Sequence, residues 1–461
     1  MLVSLIFSFE ALLVRLLVRF RSYRLLAWLL SRRAVRELLP DGSSVPFHHR
    51  VKDGRPTIFV LHGDRMPDDL RVLCRSEEIR ILEIIEPWLG RIAYQFLPMG
   101  LGFGAYVSEE PRADILRGRE KFRPFLKMFL RHFYRYVPVD CVVRTDFKLQ
   151  TDFDWAFVSY QLGKPYVILQ RENMIGHAPA IVGGQFIRDL DIGRFEGTHI
   201  IVYNQHSKDR YLRAGTASPD RISVLGCLRM DELIARTKRR PVAATKKRIT
   251  LFAIHPWMMQ VVGSEADQMY RDVHVIIAKF ARANPDVDVV VKLKKKDAEQ
   301  EYDVKVKQVL AAEGIDADEI PNMSFTAKGP AHDHIFASDL VIGLNSTTIL
   351  ESAISGLPVI VPFFDSMQQP KYQDQLKFGA DLDIFDVAHD RDHLVALINE
   401  CLRRPAPDER MMERRWQVFE KHFHSRDGKA RERVVAKLLE TIHCESAAEN
   451  EACDTLADAA E

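Results

Sequence analysis

The stretch Ser338–Phe363, SDLVIGLNSTTILESAISGLPVIVPF, decides how this chain is read. Leu340–Leu344 and Val359–Val361 are continuous apolar runs, the pattern of strands buried on both faces of a parallel sheet. Between them Asn345, Ser346, Thr347 and Thr348 stand where a helix begins, and Gly356 with Pro358 punctuates its end. The segment therefore predicts one βαβ unit. Where that helix opens, unpaired backbone N–H groups and the positive end of the helix dipole favour a phosphate. Glu351 lies one turn beyond Thr347 on the same face and can accept hydrogen bonds from ribose hydroxyls. A phosphate grip beside a ribose acceptor suits a nucleotide-activated donor. The same spacing also forms a capping box, with Thr348 as the cap and Glu351 reaching back to it. Spacing alone leaves both open.

Outward from this unit, strands alternate with helices, which predicts an α/β protein with mainly parallel sheets. Upstream, Thr57–Leu61, Ile79–Ile85, Cys141–Val143, Tyr166–Leu169, Thr198–Tyr203 and Ile222–Leu225 read as strands. Ala113–Tyr136 and Phe153–Leu162 read as helices. The polar, basic stretch Thr237–Lys247, with Pro241, reads as a linker. A second run follows: strands Ile249–Ile254, Val287–Lys292 and Met323–Thr326, helices near Ala266–Ala283 and Glu301–Gly314, then the βαβ unit. Two more helices, Met411–His424 and Ala430–His443, complete it. The predicted architecture is two Rossmann-like, doubly wound domains facing a central cleft, where ligands of open parallel sheets bind. Residues 41–236 form the acceptor-side domain and 248–443 the nucleotide-donor domain, with 237–247 between them.

With 461 residues there is enough chain for two or three domains with sizeable cores. A net charge of +1, and no basic run interleaved with aromatics, argue against nucleic acid as partner. The six cysteines are scattered without a Cys-x-x-Cys pair, which fits free thiols in a reduced compartment rather than disulfides or zinc. Charge is uneven at the ends. Residues 1–40 are strongly apolar but broken by Arg15, Arg19, Arg21, Arg24, Arg32 and Arg33, so no apolar run reaches the ~20 residues a spanning helix needs. They predict amphipathic helices at an anionic membrane surface, or else helices packed on the globular body. The stretch 444–461 is acidic and Ala-rich, which predicts a disordered tail.

Four motifs carry a resemblance. They are Ser338-Asp339-Leu340-Val341-Ile342-Gly343 leading to Asn345-Ser346-Thr347 and Glu351; Gly226-x-x-Arg229-x-Asp231; Asp427-Gly428-Lys429-Ala430; and Val289-Val290-Val291-Lys292. In these the chain resembles the GT-B fold glycosyltransferases of bacterial surface polysaccharides and the related CDP-glycerol glycerophosphotransferases. Two departures stand out. Leu228 replaces a usual proline, and Lys292-Leu293-Lys294-Lys295-Lys296 replaces the family's Lys-x-His-Pro, while His255-Pro256 follows the preceding strand. The resemblance implies a donor-nucleotide site built from Asn345, Ser346, Thr347, Thr348 and Glu351, with Lys292, Lys294, Arg229 and His255 as added cationic candidates. Arg229 can equally pair with Asp231 or Glu232.

Transfer to an acceptor hydroxyl also needs a base. Glu172 follows the strand Tyr166–Leu169, at the strand end where α/β sites collect. His177 and His62 are alternatives. Gly100-Leu101-Gly102-Phe103-Gly104 lacks the strand and helix that a phosphate loop requires. Asp-x-Asp recurs too often to mark a metal, so neither a metal nor a cofactor is expected. The predicted function is a membrane-associated cytoplasmic glycosyltransferase with a nucleotide-sugar donor and a surface-polysaccharide or lipid-linked acceptor. A CDP-polyol phosphotransferase, a sugar-nucleotide epimerase and a non-catalytic assembly subunit are the alternatives.

Overall fold

The computed structural model describes the backbone of residues 2–47, 54–99, 112–145, 150–170, 195–238, 246–253, 264–293, 296–344, 346–364, 368 and 378–458. The chain divides into two compact units, one of Met1–Asn173, Arg188–Glu232 and Phe423–Glu461, the other of Met174–Ile187 and Leu233–His422.

The first unit begins with helices α1 (Leu2–Arg19) and α2 (Tyr23–Arg33) and a short antiparallel pair, β1 (Val35–Leu38) and β2 (Ser44–Pro46). Then come β3 (Thr57–Leu61), α3 (Pro67–Leu73), β4 (Arg80–Ile84), α4 (Glu86–Ala93), α5 (Ala113–Phe133), β5 (Cys141–Arg144) and α6 (Gln150–Gln161). It continues through β6 (Tyr166–Leu169), β7 (His199–Val202), α7 (Gln205–Arg213), β8 (Ile222–Val224) and α8 (Leu228–Thr237), which runs into the second unit. The strands form one sheet in the order β2-β1-β4-β3-β5-β6-β7-β8, parallel from β4 to β8. The chain leaves β3 for β4 on one side and returns for β5 on the other. The crossover point of this sheet therefore lies between β3 and β5. All six strands expected here are present. The β1–β2 pair was not expected: it is short, carries Arg36 and Glu37, and has no apolar run to announce it. Arg80 on β4, nearly buried, holds it by two hydrogen bonds to Glu37, at 2.8 and 2.5 Å.

Against this sheet α5 packs an aromatic row, with Phe129 and Phe133 each about 5.5 Å from the Trp155 ring of α6. The same row continues to Phe125, whose ring meets Tyr23 of α2 at 5.2 Å.

The second unit carries β9 (Lys247–Phe252), α9 (Ser264–Ala283), β10 (Val287–Lys292), α10 (Lys296–Ala312), β11 (Met323–Thr326), α11 (Ala331–Phe336) and β12 (Leu340–Gly343). It goes on with α12 (Thr347–Ile354), β13 (Val359–Pro362), β14 (Asp386–Ala388), α13 (Arg391–Cys401) and α14 (Glu409–Phe423). Its sheet is wholly parallel, in the order β11-β10-β9-β12-β13-β14. The first three strands step outward to one side of β9, then the chain crosses back to place β12 on its other side. That is the strand order of a dinucleotide-binding half-pair, with its crossover point between β9 and β12. The protein is thus α/β with two Rossmann-like, parallel-sheet units.

The last helix, α15 (Ala430–Asp458), departs from the expected domain layout. Residues up to 443 were expected in the second domain, yet α15 belongs to the first unit. Val434, Val435, Leu438 and Ile442 enter one buried cluster with Ile58, Val143 and Leu228. The Asp231 carboxylate also accepts the backbone N–H groups of Ala430 and Arg431, capping α15 from 199 and 200 residues away. The helix runs on to Asp458, past residue 444 where the disordered tail was expected to start. Its Ala- and Glu-rich sequence has high helix propensity. Of the expected linker, residues 239–245 lie outside the described residues.

Candidate functional site

The entry to α12 stands at the carboxyl end of β12, beside the crossover point of the second sheet. Ser338 and Asp339, at the opposite end of the strand, are structural. The Ser338 hydroxyl bonds Thr250 at 2.7 Å, and Asp339 accepts the Arg248 N–H at 2.8 Å, which locks the register of β12 on β9. Gly343 ends the strand because a Cβ there would lie 2.9 Å from Ile349, so only glycine lets β12 and α12 approach this closely.

Ser346 is the N-cap, extended at φ −114° and ψ 143°. Its hydroxyl oxygen accepts from the Thr348 hydroxyl at 2.7 Å and, at 3.4 Å, from the Thr348 N–H. The capping box that the spacing left open at Thr348 and Glu351 therefore does not form: the cap is two residues earlier, and Thr348 is already inside the helix. None of these bonds uses the Thr347 hydroxyl. Ser346, Thr347 and Thr348 are all half-exposed. Behind them α12 is anchored by Arg415 on α14, which is nearly buried. Its guanidinium donates to the carbonyls of Ala353, Leu357 and Ile384 at 3.0, 2.9 and 3.2 Å. Burial lowers its pKa to about 10. Gly356, left-handed at φ +78°, turns the chain out of the helix.

Glu351 faces α11. Its Oε2 lies 3.2 Å from His332 Nε2, and the carboxylate side chain is only 3% exposed. A ribose reaches it only if neighbouring side chains give way. His332 was not singled out in the sequence, because its pairing with Glu351 spans two helices and leaves no local spacing to read. Lys292 ends β10 with its ammonium turned onto the carbonyls of Leu293 and Ala327, at 2.9 and 3.1 Å, and is nearly buried. It clasps the ends of β10 and β11 rather than standing in solvent as a phosphate-seeking cation.

In the first unit, the strand ends at and beside the crossover point carry buried polar side chains. His62 follows β3 in a left-handed conformation, φ 58° and ψ 45°, and is fully buried, with Nδ1 3.9 Å from Asp64 Oδ1. Such a conformation costs about 1–3 kcal/mol in a residue other than glycine. The space where a side chain at Gly63 would stand is filled by the carboxyl group of Glu83 on β4. Burial, and then the nearby Asp64 charge, raise the Glu83 pKa above the usual carboxylate range. Sequence reasoning passed over Glu83. The signal was an acid at the fourth position of the wholly buried strand Arg80-Ile81-Leu82-Glu83-Ile84. Arg144 ends β5 fully buried, donating to the Tyr166 hydroxyl at 2.9 Å.

Arg229 meets two residues that were not foreseen for it. Its Nη1 lies 3.2 Å from the Tyr203 hydroxyl and 3.5 Å from Asp69 Oδ2, and its backbone N–H also reaches Asp69. Asp231 caps α15, and Glu232 pairs with Arg71 and Arg75. The motif Asp427-Gly428-Lys429-Ala430 is the lead-in to that helix: Asp427 accepts the Lys429 N–H and pairs with Arg433, while Gly428 takes φ +72°. Both motifs thus act as two halves of one structural joint. Several Asp-x-Asp copies are likewise structural. Asp381 and Asp383 pair with Arg414, Asp288 with Lys246, and Asp316 and Asp390 cap helices. Asn345, Lys294, His255, Glu172, His177 and the Gly100–Gly104 stretch lie outside the described residues.

Residues 228–362 match a family model described as "Putative glycosyltransferase (DUF6716)". The matched span runs from α8 to β13 and contains the α12 entry. No curated protein matches the chain. Among solved structures, the UDP-GlcNAc 2-epimerase of Neisseria meningitidis, bound to UDP-GlcNAc, is similar at 11% identity and a TM-score of 0.49, covering 84% of this chain and 100% of that one. The UDP-GlcNAc 2-epimerase of Methanocaldococcus jannaschii is similar at 12% identity and 0.48, covering 84% and 99%. An Anabaena protein, HepE, in complex with UDP and glucose, is similar at 13% identity and 0.46, also covering 84% and 99%.

Proposed function

We propose that this chain is a nucleotide-sugar-dependent glycosyltransferase, moving a sugar to a surface-polysaccharide or lipid-linked acceptor at the cytoplasmic face of a membrane. The observation that carries the proposal is the opening of α12. Half-exposed hydroxyls at a helix N-terminus stand at the crossover point of a parallel sheet, inside the span that matches a glycosyltransferase model. Backbone N–H groups and the helix dipole there can take the charge that develops on a departing nucleoside diphosphate, without reorganising as it forms. Ser346 and Thr347 are assigned to the phosphates. Glu351, held 3.2 Å from His332, is assigned to the ribose hydroxyls, which reach it once neighbouring side chains give way. The acceptor hydroxyl loses its proton to a carboxylate or imidazole, with Glu172 and His177 as candidates and Glu83 as an addition. His62, wholly enclosed, is the weakest of the four.

The test is a melting-temperature panel with CMP-, CDP-, UDP- and GDP-linked compounds, followed by product analysis of any that stabilise. A ligand bound only by the folded chain contributes about 2.7 kcal/mol at one hundred times its Kd. Stabilisation by a nucleotide sugar, with transfer or slow hydrolysis, supports the proposal. A response confined to CDP-glycerol indicates a phosphotransferase, sugar interconversion without an acceptor an epimerase, and no response at all an assembly subunit.

A further inference from the structure

We propose that the outer face of the α1–α2 hairpin is a docking surface for a bilayer rich in anionic phospholipid, with Phe20 and Trp28 as its inserted anchors. This deepens the membrane side of the function proposed above and stands or falls separately from donor binding.

Both helices have an inner face that the first unit already uses. Val14, Leu17 and Val18 of α1, and Leu26, Ala27 and Leu30 of α2, are buried. The outer face is apolar as well. Leu12 and Leu16 stand at i and i+4 on α1, followed by Phe20, and Leu25 and Trp28 stand at i and i+3 on α2. Phe20 is 72% exposed and Trp28 46%. Arg21, left-handed at φ 51°, makes the turn between the helices, so that Phe20 protrudes at its tip. An isolated exposed leucine means nothing, but five large apolar side chains on one hairpin are a surface that water does not stabilise.

Charge selects the occupant. Arg15, Arg19, Arg21, Arg24, Arg32 and Arg33 are all exposed around those side chains. Between residues 11 and 36 there is no aspartate or glutamate, and Glu10 just before them pairs with Arg91 at 3.5 Å. A second copy of the chain on this face would bring two sets of six guanidinium groups together. A nucleic acid would find the phosphate-binding charge interrupted by bulky aliphatic side chains. An anionic bilayer satisfies both halves of the surface: guanidinium groups sit at the lipid phosphates while their stems, with Trp28 and Phe20, enter the boundary of the acyl region. The chain lies on such a surface rather than crossing it, for no helix among the described residues is long and apolar enough to span a membrane.

The experiment is co-sedimentation of the full chain with vesicles of phosphatidylcholine alone or mixed with phosphatidylglycerol. The expected result is partitioning onto the mixed vesicles about tenfold or more above phosphatidylcholine alone, weakening as salt is raised. The double variant Phe20→Ser/Trp28→Ser is expected to lose about tenfold of that binding, and Arg24→Glu/Arg32→Glu to lose the preference for phosphatidylglycerol. All four side chains are exposed, so the thermal melts should match the parent and exclude misfolding. Equal binding to both vesicle types, no binding to either, or variants that bind like the parent would overturn the proposal. So would a dimer in sedimentation velocity that the Phe20→Ser/Trp28→Ser variant dissolves. The nucleotide-sugar melting response, measured in the same variants, should be unchanged, which separates this failure from failure of the transferase proposal.

Discussion

The two sheets share a plan and differ at the one place where the plan puts function. In the second unit the crossover point opens onto a helix N-terminus with half-exposed hydroxyls. In the first unit the strands flanking the corresponding point end in His62 and Arg144, with the Glu83 carboxyl group of β4 packed beside Gly63, all buried or nearly so. One end presents half-exposed hydroxyls at a helix start; the other stores titratable groups out of water. Parallel-sheet geometry alone fixes where a site can be, and the residues of each turn decide whether it can bind charge or move a proton.

The largest expected effect breaks the open end from behind. Arg415→Ala would take the guanidinium from the buried Leu357 and Ile384 carbonyls, while the Ala353 carbonyl keeps the Gly356 N–H at 3.1 Å. Unsatisfied buried groups cost about 1–3 kcal/mol each before relaxation, so we expect a net loss of about 4 kcal/mol in thermal or urea unfolding. Arg415→Lys should recover only part of it, because one ammonium cannot reproduce the planar fork. A loss under 1 kcal/mol would mean that α12 holds its position without this anchor.

Next in size is a charge placed at the opening itself. Thr347→Glu puts a carboxylate where the proposed donor phosphate binds, and kcat/KM should fall by about 100-fold or more. Stability should hold or rise slightly, since an acid in the first turn is favourable to the helix dipole by about 0.3–1 kcal/mol. Loss of activity with a retained melt separates an anion site from a merely structural helix start. Unchanged kinetics would remove α12 from the mechanism.

Much of this comparison was legible in the residues, and the limits have physical causes. Continuous apolar runs marked the parallel strands of both units, because a strand covered on both faces has no polar side to show. The α12 entry was legible too, since a hydroxyl-rich turn between two such runs admits few conformations. What could not be read were contacts that join distant segments. Asp231 capping α15, Arg415 holding the back of α12 and His332 facing Glu351 leave no periodicity behind. The β1–β2 pair was hidden because its stability comes from Arg80 and Glu37 rather than from an apolar run. Glu83 and the α15 packing face were visible as residues but not as partners.

A smaller effect compares the two units by acid. His274, in α9 of the second unit, is buried with its Nδ1 2.7 Å from the Tyr270 carbonyl, and burial lowers its pKa from 6.5 to about 4. His199, in β7 of the first unit, is lowered to about 4, again chiefly by burial. In both, the unfolded chain binds the proton first. Their contribution is therefore complete above pH 6.5 and is lost as pH falls from there toward 4. His274→Asn should remove up to roughly 2 kcal/mol of that acid sensitivity, and His199→Asn less, since lysine and arginine charges share in its shift. Melting curves from pH 7 to pH 4 that run parallel to the parent would show that neither imidazole is held neutral.

The smallest effect probes the closed end directly. Glu83 has its folded pKa above the unfolded value of 4.5, the reverse of a paired carboxylate. The native state therefore holds the proton longer, and folding loses stability as pH rises from the unfolded pKa through the folded one, with the penalty persisting above it. Glu83→Gln keeps the shape and removes the charge. Its melting temperature should match the parent below pH 4 and exceed it at neutral pH. If the gain appears and transfer is lost with it, Glu83 is the acceptor's base, held at a raised pKa for that purpose. If the gain appears while transfer survives, the buried carboxyl group only shapes the turn beside Gly63, and the base is sought among Glu172, His177 and His62. A variant destabilised at every pH would instead mean that the Glu83 carboxylate is a satisfied acceptor, and the contrast between an open and a closed crossover point would lose its electrostatic half.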